Sequence, residues 1–351
     1  MAVDAIETTA RRAAMRRVLV QPGRSAFPDM VSFIVERFGF ELVQLSDYEI
    51  GRPQSKLTHL RGLMRQALDV VGALPRLRNC ECVIAFGPIL YLIKLLRRVG
   101  LLNYRQSVSL GWHIRSPRWF PLFRAVSKLD RDEDHYIVFS EVEIDLYSAN
   151  LGIDRRRLHY LPYGDWHPQD APADRVELPA SGQYYFAGGY SNRDYVSLIE
   201  AFRSIDARLV IVCSALNSEI DETALPPNVT VWRDLPSDAF EMYLRQAKAC
   251  ILPLKFDTGA SGQSVLIRAM RNGTPAIASD FGSLRGYIAD GVSGYLFKDL
   301  ARELPGIVAA IEREPAQAKR LGEAAQARYR KFFSPAAGAA SLARILSGLI
   351  V

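Results

Sequence analysis

The chain alternates short β-rich runs with helical stretches along most of its length, and this alternation restricts the possible folds more than any other feature. Twelve runs have the length and composition of strands. Those in the first half are at 17–21, 41–46, 82–86, 107–112, 135–140 and 158–162. Those in the second half are at 183–187, 208–213, 229–232, 249–254, 275–279 and 294–297. Strands that alternate with helices build parallel sheets from βαβ units, so we predict an α/β protein.

The 351 residues are enough for two domains, each with its own core. A Pro-rich polar stretch at 167–182 separates the two sets of strands and is predicted to be a linker. We therefore expect domains at 1–166 and 183–334, with a C-terminal helix at 335–351 that packs back on the first domain. Two Rossmann-like domains facing each other would bind ligands in a cleft, at the carboxyl ends of their strands.

Composition narrows the class of protein. Apolar residues make up 49% of the chain and charged residues 23%, which is typical of a globular enzyme. No run of about 18 uncharged apolar residues occurs, and residues 1–14 lack the apolar core of a signal peptide. These features predict a cytoplasmic protein. The cysteines have neither CxxC spacing nor nearby histidines, which predicts reduced core residues and no zinc site or disulfide: Cys80, Cys82, Cys213 and Cys250.

Charge is concentrated in the first half of the chain. Residues 1–164 hold 24 Lys and Arg against 17 Asp and Glu, whereas residues 165–351 hold 20 against 21. This asymmetry indicates an anionic partner, either a membrane surface or a phosphorylated substrate. Nucleic acid is not expected, because no motif for binding it accompanies the charge.

Two stretches of the basic half, 86–105 and 115–124, mix arginines with apolar and aromatic residues. Both suit attachment to an anionic leaflet. The alternative for the first stretch is a helix whose apolar residues pack on the sheet while its basic side is solvated.

The stretch 257–275 reads as a glycine-loosened loop followed by one short helix and a strand. Ser261 is the predicted N-cap, and Asn272-Gly273 followed by Pro275 predicts the helix end. The backbone amides at the helix start are candidate phosphate donors: Gly262, Gln263, Ser264 and Val265. The alternative is that any βα unit needs a capped helix.

Several short motifs in the second half fall at the spacing of one family. They are Ala269-Met270, Gly273-Thr274-Pro275, Ser279-Asp280-Phe281-Gly282 and Asp290-Gly291-Val292-Ser293-Gly294, preceded by a glycine strand end at 186–189. In these motifs the chain resembles the GT-B glycosyltransferases known as glycosyl transferases group 1, most of which are retaining enzymes. The resemblance implies an acceptor-binding first domain and a donor-binding second domain.

It also implies a hexose-type sugar donor carried on a nucleoside diphosphate, with UDP favoured over GDP. The acceptor would be a glycan, a lipid-linked molecule or a small molecule, and the reaction would need neither metal nor cofactor.

The resemblance assigns roles to individual residues. Arg193 stands where relatives place a diphosphate-binding lysine, and Gly189 belongs to the glycine strand end that precedes it. Lys255 and the amides from Ser261 to Val265 would also bind the donor, Gly23 would admit the phosphates after the first strand, and His113 would contact the sugar. The alternatives are a solvated Arg193, a surface charge at Lys255 and a structural histidine.

The chain also departs from the family pattern. Relatives carry two glutamates across the phosphate helix, where this chain has Ala260 and Arg268. Relatives have a third acidic residue at the position that Gly286 occupies in this chain. Asp257 or Gln263 would then contact the sugar, and Arg268 would pair with phosphate or a neighbouring carboxylate. A non-catalytic GT-B subunit is the competing interpretation, and a GT-B epimerase is a third.

Asp165 follows a turn that resembles one leading to the family's linker. It is interpreted as a structural hinge, with catalysis as the alternative.

Overall fold

The computed structural model of the protein describes residues 16–22, 27–46, 56–87, 89–114, 117–166, 183–257 and 259–350. These residues form two six-stranded sheets in which every pair of neighbouring strands is parallel. All twelve predicted strands are present, so the α/β prediction is confirmed. The contacts divide the chain into a first unit, Met1–Leu161 with Leu342–Val351, and a second unit, Pro162–Ser341. The predicted linker at 167–182 lies outside the described residues.

The strands of the first unit are β1 (Arg16–Pro22), β2 (Glu41–Leu45), β3 (Cys80–Phe86), β4 (Tyr104–Leu110), β5 (Asp134–Val138) and β6 (Leu158–Tyr160). Its helices are α1 (Pro28–Phe38), α2 (Lys56–Gly72), α3 (Leu74–Leu77), α4 (Ile89–Arg98), α5 (Phe120–Val126) and α6 (Glu141–Leu151). Short 3-10 turns lie at Pro117–Trp119, Ser127–Leu129 and Arg155–Arg157. The sheet order is β2-β1-β3-β4-β5-β6. The inner strand β3 is apolar almost throughout, because helices cover both faces of a parallel sheet.

The strands of the second unit are β7 (Tyr184–Gly188), β8 (Arg208–Cys213), β9 (Val229–Arg233), β10 (Ala249–Leu252), β11 (Ala276–Ser279) and β12 (Gly294–Phe297). Its helices are α7 (Tyr195–Phe202), α8 (Ser237–Gln246), α9 (Gln263–Asn272), α10 (Gly282–Arg285), α11 (Leu300–Arg313) and α12 (Pro315–Phe332), with a 3-10 turn at Glu222–Ala224. The sheet order is β12-β11-β10-β7-β8-β9. The chain therefore moves outward from β7 through β9 and returns to the other side of β7 with β10, which makes the β7–β10 boundary a topological switch point.

Buried ion pairs connect α4 to residues 130–134, at the start of β5. Lys94 of α4 lies 2.6 Å from the Asp130 carboxylate and is completely buried, and Arg97 bonds Asp134 with both Nη atoms. Burial lowers the pKa of Lys94, opposed by the nearby Asp130 charge. The alternative of a helix whose basic side is solvated is therefore wrong for Lys94 and Arg97, whereas Arg98 is exposed. Ile89 and Ile93 do pack inward, but two of the cations lie inside as well.

The last helix, α13 (Pro335–Ile350), contributes to the core of the first unit. Leu342, Leu346 and Ile350 are buried, and the Gln106 amide on β4 donates to the Leu349 carbonyl at 2.9 Å. By length and composition, the described stretch Pro315–Ile350 passes as one candidate membrane span. It consists of two helices, however, and three apolar residues of the second are buried: Leu342, Leu346 and Ile350.

All four cysteines are free and buried, as predicted. Burial raises the pKa of the Cys80 thiol to about 11 and that of Cys82 to about 12. These thiols are therefore protonated at neutral pH and pack as small apolar groups.

Candidate functional site

Two loops meet at the switch point of the second sheet. The amide of Asp194, after β7, donates to the carbonyl of Pro253, after β10, at 2.8 Å. The Asn192 side chain, on a residue with φ of 56°, accepts from the Phe256 amide at 3.1 Å and donates to the Phe256 carbonyl at 2.7 Å. The Lys255 amide donates to the Asn192 carbonyl. These bonds fix both loops at the edge of the sheet where α/β proteins bind ligands.

Arg193 lies inside this junction and is only 4% exposed. Its Nε donates to the Gly188 carbonyl at 3.0 Å and its Nη1 to the Ser191 carbonyl at 2.6 Å. Burial lowers its pKa, and no carboxylate among the described residues contacts the guanidinium. The alternative of a solvated Arg193 is therefore wrong. A buried cation without a carboxylate partner is costly, and a bound anion would compensate for its charge.

Gly189 is needed for this arrangement for two reasons. Its φ of 107° is unfavourable for residues with a Cβ, and a Cβ there would lie 2.8 Å from Nη2 of Arg193. The predicted glycine strand end thus makes room for the predicted cation.

The start of α9 lies on the second of these loops. The prediction of Ser261 as N-cap is wrong: Gly262 is the N-cap, with φ of 87° and no side-chain cap. A left-handed residue is required there, which favours glycine, and the Ser261 hydroxyl lies 3.3 Å from the Asn192 amide nitrogen instead. The first helical bond runs from the Leu266 amide to the Gly262 carbonyl. The amides of 263–265 precede that bond and remain the candidate anion donors.

The end of α9 agrees with the sequence. Gly273 is the C-cap, with φ of 70°, and its amide donates to the carbonyls of Ala269 and Met270. The predicted helix end is confirmed.

Two side chains expected to contact the sugar already have protein partners. The Gln263 side chain is buried and donates to the Ser283 carbonyl at 3.2 Å. An Asp257 oxygen accepts from the Gly282 amide at 2.8 Å. Both side chains therefore connect this region to the first residues of α10.

The remaining cations of this region are paired. Lys255 lies 3.1 Å from Glu219, and both side chains are about one-third exposed. Arg268 bonds Glu241 of α8 and lies over the Phe240 ring, 4.7 Å from its centroid. Of the two alternatives for Arg268, the structure shows pairing with a neighbouring carboxylate.

Other polar contacts of α9 involve residues 163–165, at the start of the second unit. The Tyr163 hydroxyl hydrogen-bonds Ser264, and burial raises the Tyr163 pKa to about 12. Asp165 is buried and accepts from Arg271 Nη1 at 2.8 Å and from the Tyr329 hydroxyl at 2.9 Å. These bonds give Asp165 a structural role within the second unit.

His113 lies in the first unit, three residues after the end of β4. Its Nδ1 is 2.6 Å from an oxygen of Glu143, a buried carboxylate in the first turn of α6. Sequence reasoning missed Glu143. The signal was present, because Ser140 followed three residues later by Glu143 is a capping-box pattern that fixes where this carboxylate lies.

Gly23, predicted to admit the donor phosphates, lies outside the described residues. Within the described ranges, no three His, Cys, Asp or Glu side chains cluster in a way that could hold a metal ion.

Comparisons with known proteins test the predicted family resemblance and fold. Residues 183–313 match the family model of glycosyl transferases group 1. Sucrose-phosphate synthase from Thermosynechococcus elongatus superposes with a TM-score of 0.70 at 15% identity, over 95% of this chain and 99% of that chain. HepE from Anabaena, solved with UDP-glucose, gives 0.68 at 14% identity, over 94% and 99%. A glycosyltransferase from Rickettsia africae ESF-5 gives 0.64 at 12% identity, over 95% and 99%. No curated protein sequence matches the chain. The predicted resemblance to group 1 glycosyltransferases and the predicted GT-B fold are confirmed.

Proposed function

Because the chain has the GT-B fold and its residues 183–313 match the glycosyl transferases group 1, we propose that it transfers a hexose-type sugar from a nucleoside diphosphate sugar. The donor is UDP-linked, and the acceptor is a glycan, a lipid-linked molecule or a small molecule. HepE, which shares the fold, was solved with UDP and with UDP-glucose, and this supports the choice of UDP.

Arg193 is the observation that carries this proposal. Its guanidinium is buried at the switch point, has two carbonyl acceptors and contacts no carboxylate among the described residues. The amides at the start of α9 lie on the neighbouring loop, so a diphosphate there would meet a fixed cation and fixed dipoles together.

The same groups suit the chemistry of transfer. Breaking the bond between sugar and diphosphate leaves negative charge on the departing phosphate, which preorganised cations and amides stabilise without reorganisation. Lys255 would add a second cation by releasing Glu219, and an exposed pair of this kind costs little to break.

We propose a retaining, metal-independent reaction in which the leaving phosphate receives the proton of the incoming hydroxyl. The chain then needs no nucleophile of its own, and His113 contacts the sugar.

A non-catalytic GT-B subunit that binds a partner or a sugar nucleotide is the second candidate. The observation that favours it is the set of positions without a free carboxylate: Ala260, Arg268 and Gly286. Arg268 is also bonded to α8 through Glu241. A donor site without these acids must recognise the sugar and ribose by other groups.

Calorimetry with UDP, GDP, ADP and TDP, followed by donor hydrolysis assays, separates the two candidates. Selective binding of UDP with slow release of UDP from a UDP-sugar supports the transferase. Binding without any turnover supports the non-catalytic subunit, and no binding of any diphosphate contradicts the donor site itself.

We also propose that the first unit attaches to an anionic membrane surface. Leu95, in the last turn of α4, and Val99, directly after the helix, are exposed one helical turn apart. The neighbouring Arg98 is exposed as well. Trp119 and Leu122 are exposed near α5. Apolar side chains flanked by arginines favour anionic leaflets.

Flotation with anionic and zwitterionic vesicles tests this attachment. Retention should occur on anionic vesicles and fall in the Leu95→Glu, Val99→Glu double variant, with Leu216→Glu of the second unit as an exposed apolar control. Failure of the native protein to float with anionic vesicles would exclude the attachment.

A further inference from the structure

Four groups converge on the carboxylate of Glu143. One oxygen accepts from the backbone amides of Phe139 at 3.2 Å and Ser140 at 3.1 Å. The other accepts from the Tyr147 hydroxyl at 2.8 Å and lies 2.6 Å from Nδ1 of His113. Glu143 and Tyr147 are completely buried, so water does not compete for these bonds.

The direction of each bond follows from the donors available. A backbone amide can only donate. The Tyr147 oxygen accepts from the Ile114 amide at 2.9 Å, so its own proton is directed to Glu143. Burial raises the pKa of Tyr147 well above its ordinary value, which keeps that proton in place.

The proton between Glu143 and His113 must then lie on the imidazole nitrogen. Both carboxylate oxygens already accept hydrogen bonds, two from backbone amides and one from a hydroxyl, so Glu143 is the acceptor of this bond as well. An unprotonated Nδ1 would place two lone pairs 2.6 Å apart. Because a neutral imidazole has one donor and one acceptor nitrogen, the acceptor is Nε2, which has no partner among the described residues.

We infer that Glu143 is a positioning residue that fixes the neutral form of His113 as the Nδ1–H tautomer, so that Nε2 accepts a hydrogen bond from a substrate hydroxyl. The second half of this inference rests on the proposed function, since sugars and their acceptors supply hydroxyl donors. It also excludes a phosphate oxygen as the partner of the neutral ring, because both atoms would be acceptors.

The tautomer is measurable without any substrate. Two-bond ¹H–¹⁵N correlation spectra of the full chain, recorded at alkaline pH, distinguish the two nitrogens, and a His113→Gln variant assigns the signal among the five histidines. The native protein should show Nδ1–H. An Nε2–H tautomer in the native protein would overturn the inference, and this result does not depend on whether any variant folds.

Glu143→Gln should reverse the tautomer. Glutamine has one side-chain oxygen, which the two backbone amides occupy, so its NH₂ group turns toward His113 and makes Nδ1 the acceptor. Glu141→Gln is the matched control, because Glu141 is exposed in the same turn of α6 and should leave the tautomer unchanged. A folded Glu143→Gln variant that retains Nδ1–H would contradict the role given to Glu143.

Kinetics test the use of Nε2. In Glu143→Gln the kcat of transfer should fall about 10- to 100-fold, the range seen when a metal-binding histidine loses the group that orients its ring, while the Kd of UDP, which carries no sugar, stays within about twofold. A reversed tautomer with unchanged kcat would overturn the hydrogen bond to substrate and leave the transferase proposal intact. Absence of transfer by the native protein would contradict the proposed function, whereas the spectra would still decide the tautomer.

Discussion

Replacing Arg193 by methionine tests the donor site most directly. Methionine keeps much of the length of the side chain and removes its charge. A hydrogen bond to a charged group contributes about 1.5–3 kcal/mol, so losing one to the diphosphate should weaken UDP binding about 10- to 100-fold. Uridine has no phosphate, and its Kd should change less than about twofold.

The structure also predicts the effect on the free protein. The variant loses the bonds to the Gly188 and Ser191 carbonyls, each contributing about 0.5–1.5 kcal/mol, but it no longer buries an uncompensated charge. The two changes oppose each other, so the melting temperature without ligand should shift by only a few degrees.

Isothermal titration calorimetry with UDP and uridine, combined with thermal melting of the free proteins, makes both measurements. Arg203→Met is the matched control. Arg203 directly follows α7, the helix that begins two residues after Arg193, and it is exposed and pairs with Glu200, so UDP binding should be unchanged. Equal losses for UDP and uridine in Arg193→Met would refute a diphosphate contact, as would unchanged UDP binding in a folded variant.

Two further predictions concern stability, both measured by urea unfolding. Asp134→Asn leaves Arg97 buried without its counterion and should cost about 3–5 kcal/mol, whereas Asp145→Asn removes an exposed partner and should cost less than about 1 kcal/mol. Burial raises the pKa of Asp134, but the bonds from Arg97 outweigh burial, and the pKa is lowered overall. The stabilisation by Asp134 is therefore present above the unfolded-state pKa and is lost as pH falls through the folded-state pKa. If the difference in unfolding free energy between the native protein and Asp134→Asn grew with acidification, this sign would be contradicted. Gly294→Ala should cost about 1–2 kcal/mol for its φ of 151° plus about 1–3 kcal/mol for a Cβ placed 2.5 Å from the Ala276 carbonyl oxygen. Gly291→Ala, where φ is 70° and no atom lies near the added Cβ, should show only the cost of the backbone conformation. Equal losses of stability in the two variants would exclude the clash.

The sequence predicted the strands well because their signal is local. The predicted runs 82–86 and 208–213 are short and mostly apolar, and no distant contact is needed to recognise them. The end of α9 could also be predicted from the local sequence, because Gly273 supplies the left-handed residue that ends the helix.

The errors concern residues whose partners are far away in the chain. Lys94 looks like a solvated cation until Asp130, 36 residues later, is seen beside it. Glu143 lies 30 residues after His113, so no local pattern connects them. The Ser261 error has a different origin, because the choice between a side-chain cap and a left-handed glycine depends on the path by which the chain enters the helix.

The last helix has a consequence for the order in which the protein folds during synthesis. The Gln106 amide and the Leu349 carbonyl that accepts its hydrogen bond are 243 residues apart, and every residue of the second unit lies between them in the chain. Domains made first usually fold first on the ribosome. Here the first unit can form its sheet early, but Leu342 and Leu346 reach its core only after the whole second unit has been translated. Until then, the apolar surface that these side chains cover is open to chaperones.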